Sequence, residues 1–137
     1  MLWLQGWATL AEVTLADGHR ADLMAVSRTG ELLIVEIKVS AADLRGDRKW
    51  HHYREFADRF AWAVPPSLAD ATGAECFAPG SCGLIVADRH EAVWVREAPA
   101  TPLPAARRKA VLLAFARAAA ERTLRAADPA FEGFASW

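Results

Sequence analysis

Hydrophobic and polar positions along the first forty residues fall into short apolar runs separated by turn signals, a pattern typical of β-strands. Three such runs are predicted as strands, over residues 12–15, 20–26 and 32–39. The turns between them contain Asp17-Gly18, a strong signal for a tight hairpin, and the segment 27–31. Residues 1–11 can form two or three turns of helix at most, because Gly6 interrupts them. The pattern predicts an antiparallel meander of three strands.

The hydrophobic period becomes helical after the third strand. Between residues 47 and 60 the apolar side chains fall on one helical face, and Asp47 is in the position of an N-cap. The rest of the chain is predicted to form three strands, over residues 60–64, 83–88 and 92–98, and one amphipathic helix over residues 105–127. This order predicts a single α/β domain over residues 1–137, with helices flanking a central mixed sheet.

The third strand ends on two opposite charges, Glu36 and Lys38, which share one face because strand side chains alternate. If the preceding turn is the three-residue loop 28–30, with Gly30 in the left-handed conformation, Asp22 lies directly opposite Glu36. A two-residue turn at Thr29-Gly30 would instead shift the register by one and put Asp22 on the other face. The position of Asp22 therefore depends on the length of this turn.

Two carboxylates that face each other across a strand pair are roughly 5 Å apart at Cβ and destabilise the sheet. A bound Mg²⁺ or Mn²⁺ reverses this effect, because hard cations require several oxygen ligands. We therefore expect Asp22 and Glu36 to hold a divalent metal ion and Lys38 to position a water molecule or a phosphate oxygen. The chemistry that this set predicts is metal-assisted attack of water on a phosphodiester, with the three residues as the catalytic group.

The predicted crossover helix carries further candidates. Lys49 falls within its apolar face, one turn before Tyr53, so the two side chains should touch. Either Lys49 extends its amine to solvent near the helix end, or it reaches the metal or the scissile phosphate beside Tyr53. Arg48, from the basic cluster over 45–54, is a third candidate for substrate binding. His51 and His52 are expected to be solvated or to contact phosphate, and residues 107–109 to be the solvated start of the last helix or a contact to the DNA backbone.

Composition limits the possible functions. The chain has 137 residues, 53% of them hydrophobic and 24% charged, with a formal net charge of −1. This balance indicates a soluble globular domain and excludes a protein that coats nucleic acid by bulk positive charge. The sequence lacks an apolar run of the roughly 18 residues that a membrane span needs and a basic N-terminal signal region. Cys76 and Cys82 are expected to be free thiols, as in a reducing compartment. Together these features predict a cytoplasmic location and no membrane partner.

The motifs Asp22, Glu36-Ile37-Lys38 and Lys49-x-x-x-Tyr53 resemble the signature of the PD-(D/E)XK nuclease superfamily, with Lys49 in place of the usual glutamine. Within that superfamily, residues 7–128 are similar to the MmcB-like DNA-repair proteins. The blocks that carry this similarity are TLAEVTLADGHRADLMAV, ELLIVEIKVSAADLRGDRKWHHY, DRFAWAVPP, CGLIVAD and AARRKA.

The resemblance implies a restriction-endonuclease-like α-β-β-β-α-β core and a role in DNA repair, as a divalent-metal endonuclease acting on damaged, branched or single-stranded DNA, with other repair proteins as further partners. A non-catalytic DNA-binding or adaptor module, or an RNA-directed nuclease of the same fold, are the alternatives. The superfamily also implies an acidic residue before the first hairpin strand, for which Glu12 is the candidate third metal ligand. If Asp17-Gly18 makes a two-residue turn, however, Glu12 pairs with Leu23 and faces away from Asp22.

Overall fold

A computed structural model describes residues 1–47 and 49–134 of the chain, with only the backbone of Cys76. Its six strands form one mixed sheet in chain order, with β1–β2, β2–β3 and β5–β6 antiparallel and β3–β4 and β4–β5 parallel. The strands are β1 (Ala8–Thr14), β2 (Arg20–Val26), β3 (Leu32–Ile37), β4 (Arg59–Val64), β5 (Gly83–Ala87) and β6 (Ala92–Arg96). The predicted meander and mixed sheet are confirmed, although β1 begins four residues earlier than the predicted strand.

Within residues 1–47 and 49–134, three α-helices and several short 3₁₀ segments connect or flank these strands. The α-helices are α1 (Ala41–Gly46), α2 (Trp50–Tyr53) and α3 (Ala105–Ala127), and a 3₁₀ turn over Leu2–Gln5 ends at Gly6. The predicted α3 is confirmed. Among the described residues, no helix combines the length and apolar character needed to cross a membrane.

The prediction of one continuous helix over residues 47–60 is wrong. Ser40 caps α1, its hydroxyl accepting from the Asp43 amide at 3.1 Å, so helical structure begins six residues earlier. It is then interrupted, because Asp47 leaves the helical conformation at φ −79° and ψ 94°. Asp47 is therefore not the N-cap of a long helix, and its carboxylate is directed toward other groups.

The larger hydrophobic core lies on the face of the sheet that α2 and α3 cover. Trp62 and Phe60 from β4 are at its centre, in edge-to-face contact with a 5.0 Å centroid distance. Trp50 and Tyr53 from α2 pack on these rings, and both are buried. Since side chains alternate along β3, Glu36 points to the same face as buried Ile34. Glu36 therefore lies on the face of the sheet that α2 covers, at the edge of this core.

A partly buried ion pair joins α3 to the sheet. Arg108 binds both oxygens of Asp58 at 2.6 Å, and the same carboxylate accepts from the amides of Leu32 and Leu103 at 2.8 Å. Burial alone would raise the pKa of Asp58, but the Arg108 guanidinium and the two amides hold it below its usual value. Arg108 is thus a structural residue, and the prediction that it is solvated at the start of the last helix is wrong.

Candidate functional site

The turn between β2 and β3 has the longer of the two predicted forms. The Ser27 amide donates to the Glu31 carbonyl at 2.9 Å, which leaves residues 28–30 as the loop, and Gly30 has the left-handed φ of 82°. The ladder continues with Leu23 paired to Val35, so the next residues along, Asp22 and Glu36, face each other. The three-residue turn and the juxtaposition of the two acids are confirmed.

The two carboxylates take the place of backbone hydrogen bonds at this point of the ladder. Asp22 Oδ2 accepts from the amide of Ile37 at 2.8 Å, and Glu36 Oε1 accepts from the amide of Asp22 at 3.2 Å. Each acid is thereby held in a fixed orientation, with its second oxygen left for other partners. The sheet itself positions this pair, and helix packing is not needed to align it.

Glu36 is in an environment that disfavours its charge. The residue is 3% exposed, and burial together with the neighbouring Asp22 raises its pKa to about 7, against the opposing effects of the Asp22 amide and Lys38. Despite the nearby Lys38, an ionised carboxylate in such a position destabilises the folded state when no metal ion is bound. The arrangement is typical of residues retained for chemistry rather than for stability.

Lys38 shares the pocket and is held by acids on three sides. Its Nζ lies 2.8 Å from Asp47 Oδ2, 3.5 Å from Glu36 Oε2 and 3.9 Å from Asp43 Oδ1. Burial would lower the pKa of Lys38, but its hydrogen bond and ion pair with Asp47, aided by the other two acids, raise it above the usual value. The amine is therefore a fixed cation at neutral pH and cannot accept a proton from water.

Asp47 is the site residue that the sequence analysis did not identify. Its Oδ2 pairs with Lys38, and its Oδ1 accepts from the Lys49 amide at 3.0 Å, so the carboxylate both holds the amine and shapes the turn before α2. A usable signal was present, because Asp43 and Asp47 are four residues apart just after the Glu-x-Lys motif.

The structure brings Tyr53 to the site, but not Lys49. The Tyr53 hydroxyl donates to the carbonyl of Arg20 at 3.2 Å, and burial together with the charges of Glu36, Asp47 and Asp22 raises the pKa of the phenol. Lys49 is exposed in the turn before α2, so its predicted position on a buried helical face is wrong. The third predicted substrate-binding residue, Arg48, lies outside the described residues.

Glu12 occupies the position opposite Asp22, between the pairs Ala11–Leu23 and Val13–Ala21. The two-residue turn at Asp17-Gly18, on which the pairing of Glu12 with Leu23 depended, is not formed, because the hairpin loop has three residues, 16–18, with the Leu15 amide donating to the His19 carbonyl. Glu12 adopts a left-handed φ of 51°, and its exposed carboxylate lies 3.5 Å from the Arg20 guanidinium. Glu12 thus lies next to Asp22 on the neighbouring strand β1. Its role as a metal ligand stays a prediction.

The donor set fits a metal ion that keeps much of its hydration. In the described part of the chain, no group of three or more acidic, histidine or cysteine side chains is arranged to enclose a metal. Mg²⁺ is commonly bound by one or two carboxylates, with water and substrate phosphates as its other ligands. Asp22 and Glu36 supply two such carboxylates, each anchored through one oxygen and able to use the other.

Comparison with known proteins gives two findings. The family model of MmcB-like DNA repair proteins matches residues 1–130. The SPO1766 protein of unknown function from Silicibacter pomeroyi has a similar structure, with a TM-score of 0.86 and 36% sequence identity, over 98% of this chain and 89% of that one. No curated protein matches the chain. Since the family model covers nearly the whole sequence, the chain belongs to the MmcB-like family of DNA repair proteins.

Proposed function

We propose that this DNA repair protein is a divalent-metal-dependent deoxyribonuclease that hydrolyses phosphodiester bonds. The observation that carries the proposal is the facing pair of Asp22 and Glu36, each fixed by a backbone hydrogen bond, with the Lys38 ammonium 3.5 Å from Glu36. Both carboxylates together with a fixed amine suit a negatively charged substrate that arrives with a cation. The mixed six-stranded sheet with its flanking helices is compatible with a restriction-endonuclease-like core.

Each residue has a separate role in this proposal. Asp22 and Glu36 would hold Mg²⁺ or Mn²⁺, which when bound supplies an acidified water and charge compensation at the phosphate. Lys38 stays protonated, so it stabilises negative charge on the phosphate or orients the attacking water through a hydrogen bond, and does not act as a base. Asp47 holds the amine in place at 2.8 Å, and Tyr53 closes the wall of the site beside α2.

The test is a cleavage assay with damaged, branched and single-stranded DNA in Mg²⁺ or Mn²⁺. Asp22→Asn and Lys38→Met should each reduce cleavage by at least a hundredfold, in the range typical for loss of one electrostatic group. Asp88→Asn, in the exposed turn between β5 and β6, is the control and should leave cleavage unchanged. Cleavage that survives both site substitutions would show that another nuclease, or another site, is responsible.

A non-catalytic DNA-binding or adaptor module is the second candidate function. The observation that favours it is the pairing of Lys38 with Asp47, which partly neutralises the amine before any substrate is present. This candidate predicts salt-sensitive DNA binding without turnover, and binding that persists in Glu36→Gln. A metal-dependent product that disappears with Asp22→Asn would exclude it.

A further inference from the structure

A polar groove opens next to the acid pair, on the side of α2 that faces residues 75–78. Its volume is about 640 Å³, and its lining includes Arg45, Asp47, Trp50, His51, Arg54 and Phe77. Asp47 belongs to both places, since the same carboxylate forms the groove wall and pairs with Lys38 at 2.8 Å. The groove therefore adjoins the proposed catalytic site at Asp47. Its volume is in the range of known ligand sites.

The floor of the groove is a rigid aromatic assembly. The His51 ring stacks on Trp50 with a centroid distance of 3.8 Å and an interplanar angle of 27°. Trp50 is 3% exposed and packs against buried Trp62, whose Nε1 donates to the Phe77 carbonyl at 3.2 Å. The exposed His51 imidazole is thus backed by fixed rings, which lowers the entropy cost of stacking another ring on it.

The charges of the groove suit a phosphate. Arg45 is exposed and makes no ion pair with the residues that the structure describes, and the half-buried Arg54 has one long contact, 3.4 Å, to the Ser81 hydroxyl. The charge of Asp47 is already compensated by Lys38, which leaves Glu75 as the remaining acid of the lining. Two guanidinium groups therefore outnumber one uncompensated carboxylate, and guanidinium is well matched to phosphate oxygens.

We propose that this groove is a binding subsite for an unpaired nucleotide of single-stranded DNA, with the base on His51 and a phosphate on Arg45 and Arg54. A paired base inside a duplex has both faces covered by its neighbours, whereas an unpaired base can stack on an aromatic side chain. The proposal deepens the proposed function by naming the substrate class, and it rests on that function in taking DNA as the ligand. Binding at the groove does not require cleavage at the acid pair.

The chain provides a matched control in the next residue. His52 is also exposed, but its ring stacks on His19, with a centroid distance of 5.2 Å, and does not line the groove. Fluorescence anisotropy with a labelled oligothymidylate of about 15 nucleotides and with a blunt hairpin duplex measures binding, in the Asp22→Asn background to prevent cleavage. Thermal unfolding of each variant checks that the fold is retained.

His51→Ala should weaken binding of the single strand at least fivefold, in the range measured for loss of one base stack, while His51→Phe keeps the ring and the affinity. Arg45→Gln should reduce the slope of log affinity against log salt by about 0.7, as expected for one lost phosphate contact on a single strand. Binding of the duplex should change in neither case, and His52→Ala should behave like the parent protein.

An equal loss in His52→Ala, tighter binding of the duplex than of the single strand, or no loss of single-strand binding in His51→Ala would overturn the subsite. The cleavage assay of the wild-type protein tests the nuclease proposal independently of the subsite. If cleavage is absent but the His51 effect is present, the nuclease proposal fails and the subsite stands. If Asp22-dependent cleavage is present but the His51 effect is absent, the subsite fails and the nuclease proposal stands.

Discussion

Replacing Glu36 with glutamine should stabilise the metal-free protein while abolishing its proposed activity. The folded structure raises the pKa of Glu36 from its ordinary value of 4.5 to about 7. Ionisation of Glu36 therefore costs free energy in the folded state that it does not cost in the unfolded chain. Glutamine is close in shape to the protonated acid, can still accept from the Asp22 amide, and carries no charge that pH can change.

The size of the effect follows from the two pKa values. Their difference corresponds to about 3 kcal/mol, since one pKa unit is about 1.4 kcal/mol. The cost is absent below the unfolded pKa, grows as the pH rises, and is complete above the folded pKa. At pH 8 the variant should be more stable by up to about 3 kcal/mol, or roughly 10 °C in Tm for a domain of this size. At pH 4 the two proteins should differ little.

The assay is urea or thermal unfolding in EDTA at several pH values between 4 and 8. Glu31→Gln is the control, because Glu31 forms a partly exposed ion pair with Arg59 and should change stability by less than about 1 kcal/mol. The quantity to follow is the difference between Glu36→Gln and wild type as a function of pH. A variant that is less stable than wild type at pH 8, or a difference that does not grow with pH, would refute the assigned environment of Glu36.

Three further predictions follow from other contacts. Asp58→Ala should destabilise the protein by roughly 3–5 kcal/mol in urea unfolding, because it leaves Arg108 without its buried partner. The loss should begin to shrink as the pH falls below 3.8, the ordinary pKa of the acid, and disappear toward the lower pKa of folded Asp58, whereas a loss under about 1 kcal/mol at neutral pH would contradict the role. Gly83→Ala should lower the free energy of unfolding in urea by roughly 1–3 kcal/mol, since the added β-carbon would lie 2.8 Å from the β-carbon of Ala98. The control Gly80→Ala, where nothing lies within 4 Å of the added β-carbon, should be nearly neutral. Asp47→Asn should lower kcat of metal-dependent cleavage roughly ten- to hundredfold by releasing the site amine, and an unchanged kcat would show that the ion pair does not position it.

The acid pair could be predicted from the sequence because strand geometry leaves few alternatives. Alternation put Glu36 and Lys38 on one face, and the single uncertainty was the length of the turn that ends at Gly30. Once that loop has three residues, the position of Asp22 follows by counting along the ladder. The three-strand meander and the extent of α3 likewise followed from regular periodicity.

The environment of the acid pair could not be predicted in the same way, because it depends on tertiary contacts. Asp47 has the features of a helix N-cap in the sequence, but the buried amine of Lys38 is a stronger partner, and the helix is interrupted there. Lys49 consequently lies in a turn and is exposed, whereas a continuous helix would have buried it. The first hairpin shows the same limit, since Asp17-Gly18 suits a two-residue turn but the structure uses residues 16–18.

The most direct test of the central claim is titration of the purified protein with Mn²⁺ in a calorimeter, with and without a DNA oligonucleotide. The wild-type protein should take up a divalent ion, and Asp22→Asn and Glu36→Gln should each lose that uptake while remaining folded. Wild-type protein that shows no uptake in either condition, or uptake that persists unchanged in both variants, would contradict a metal site formed by the facing carboxylates of β2 and β3.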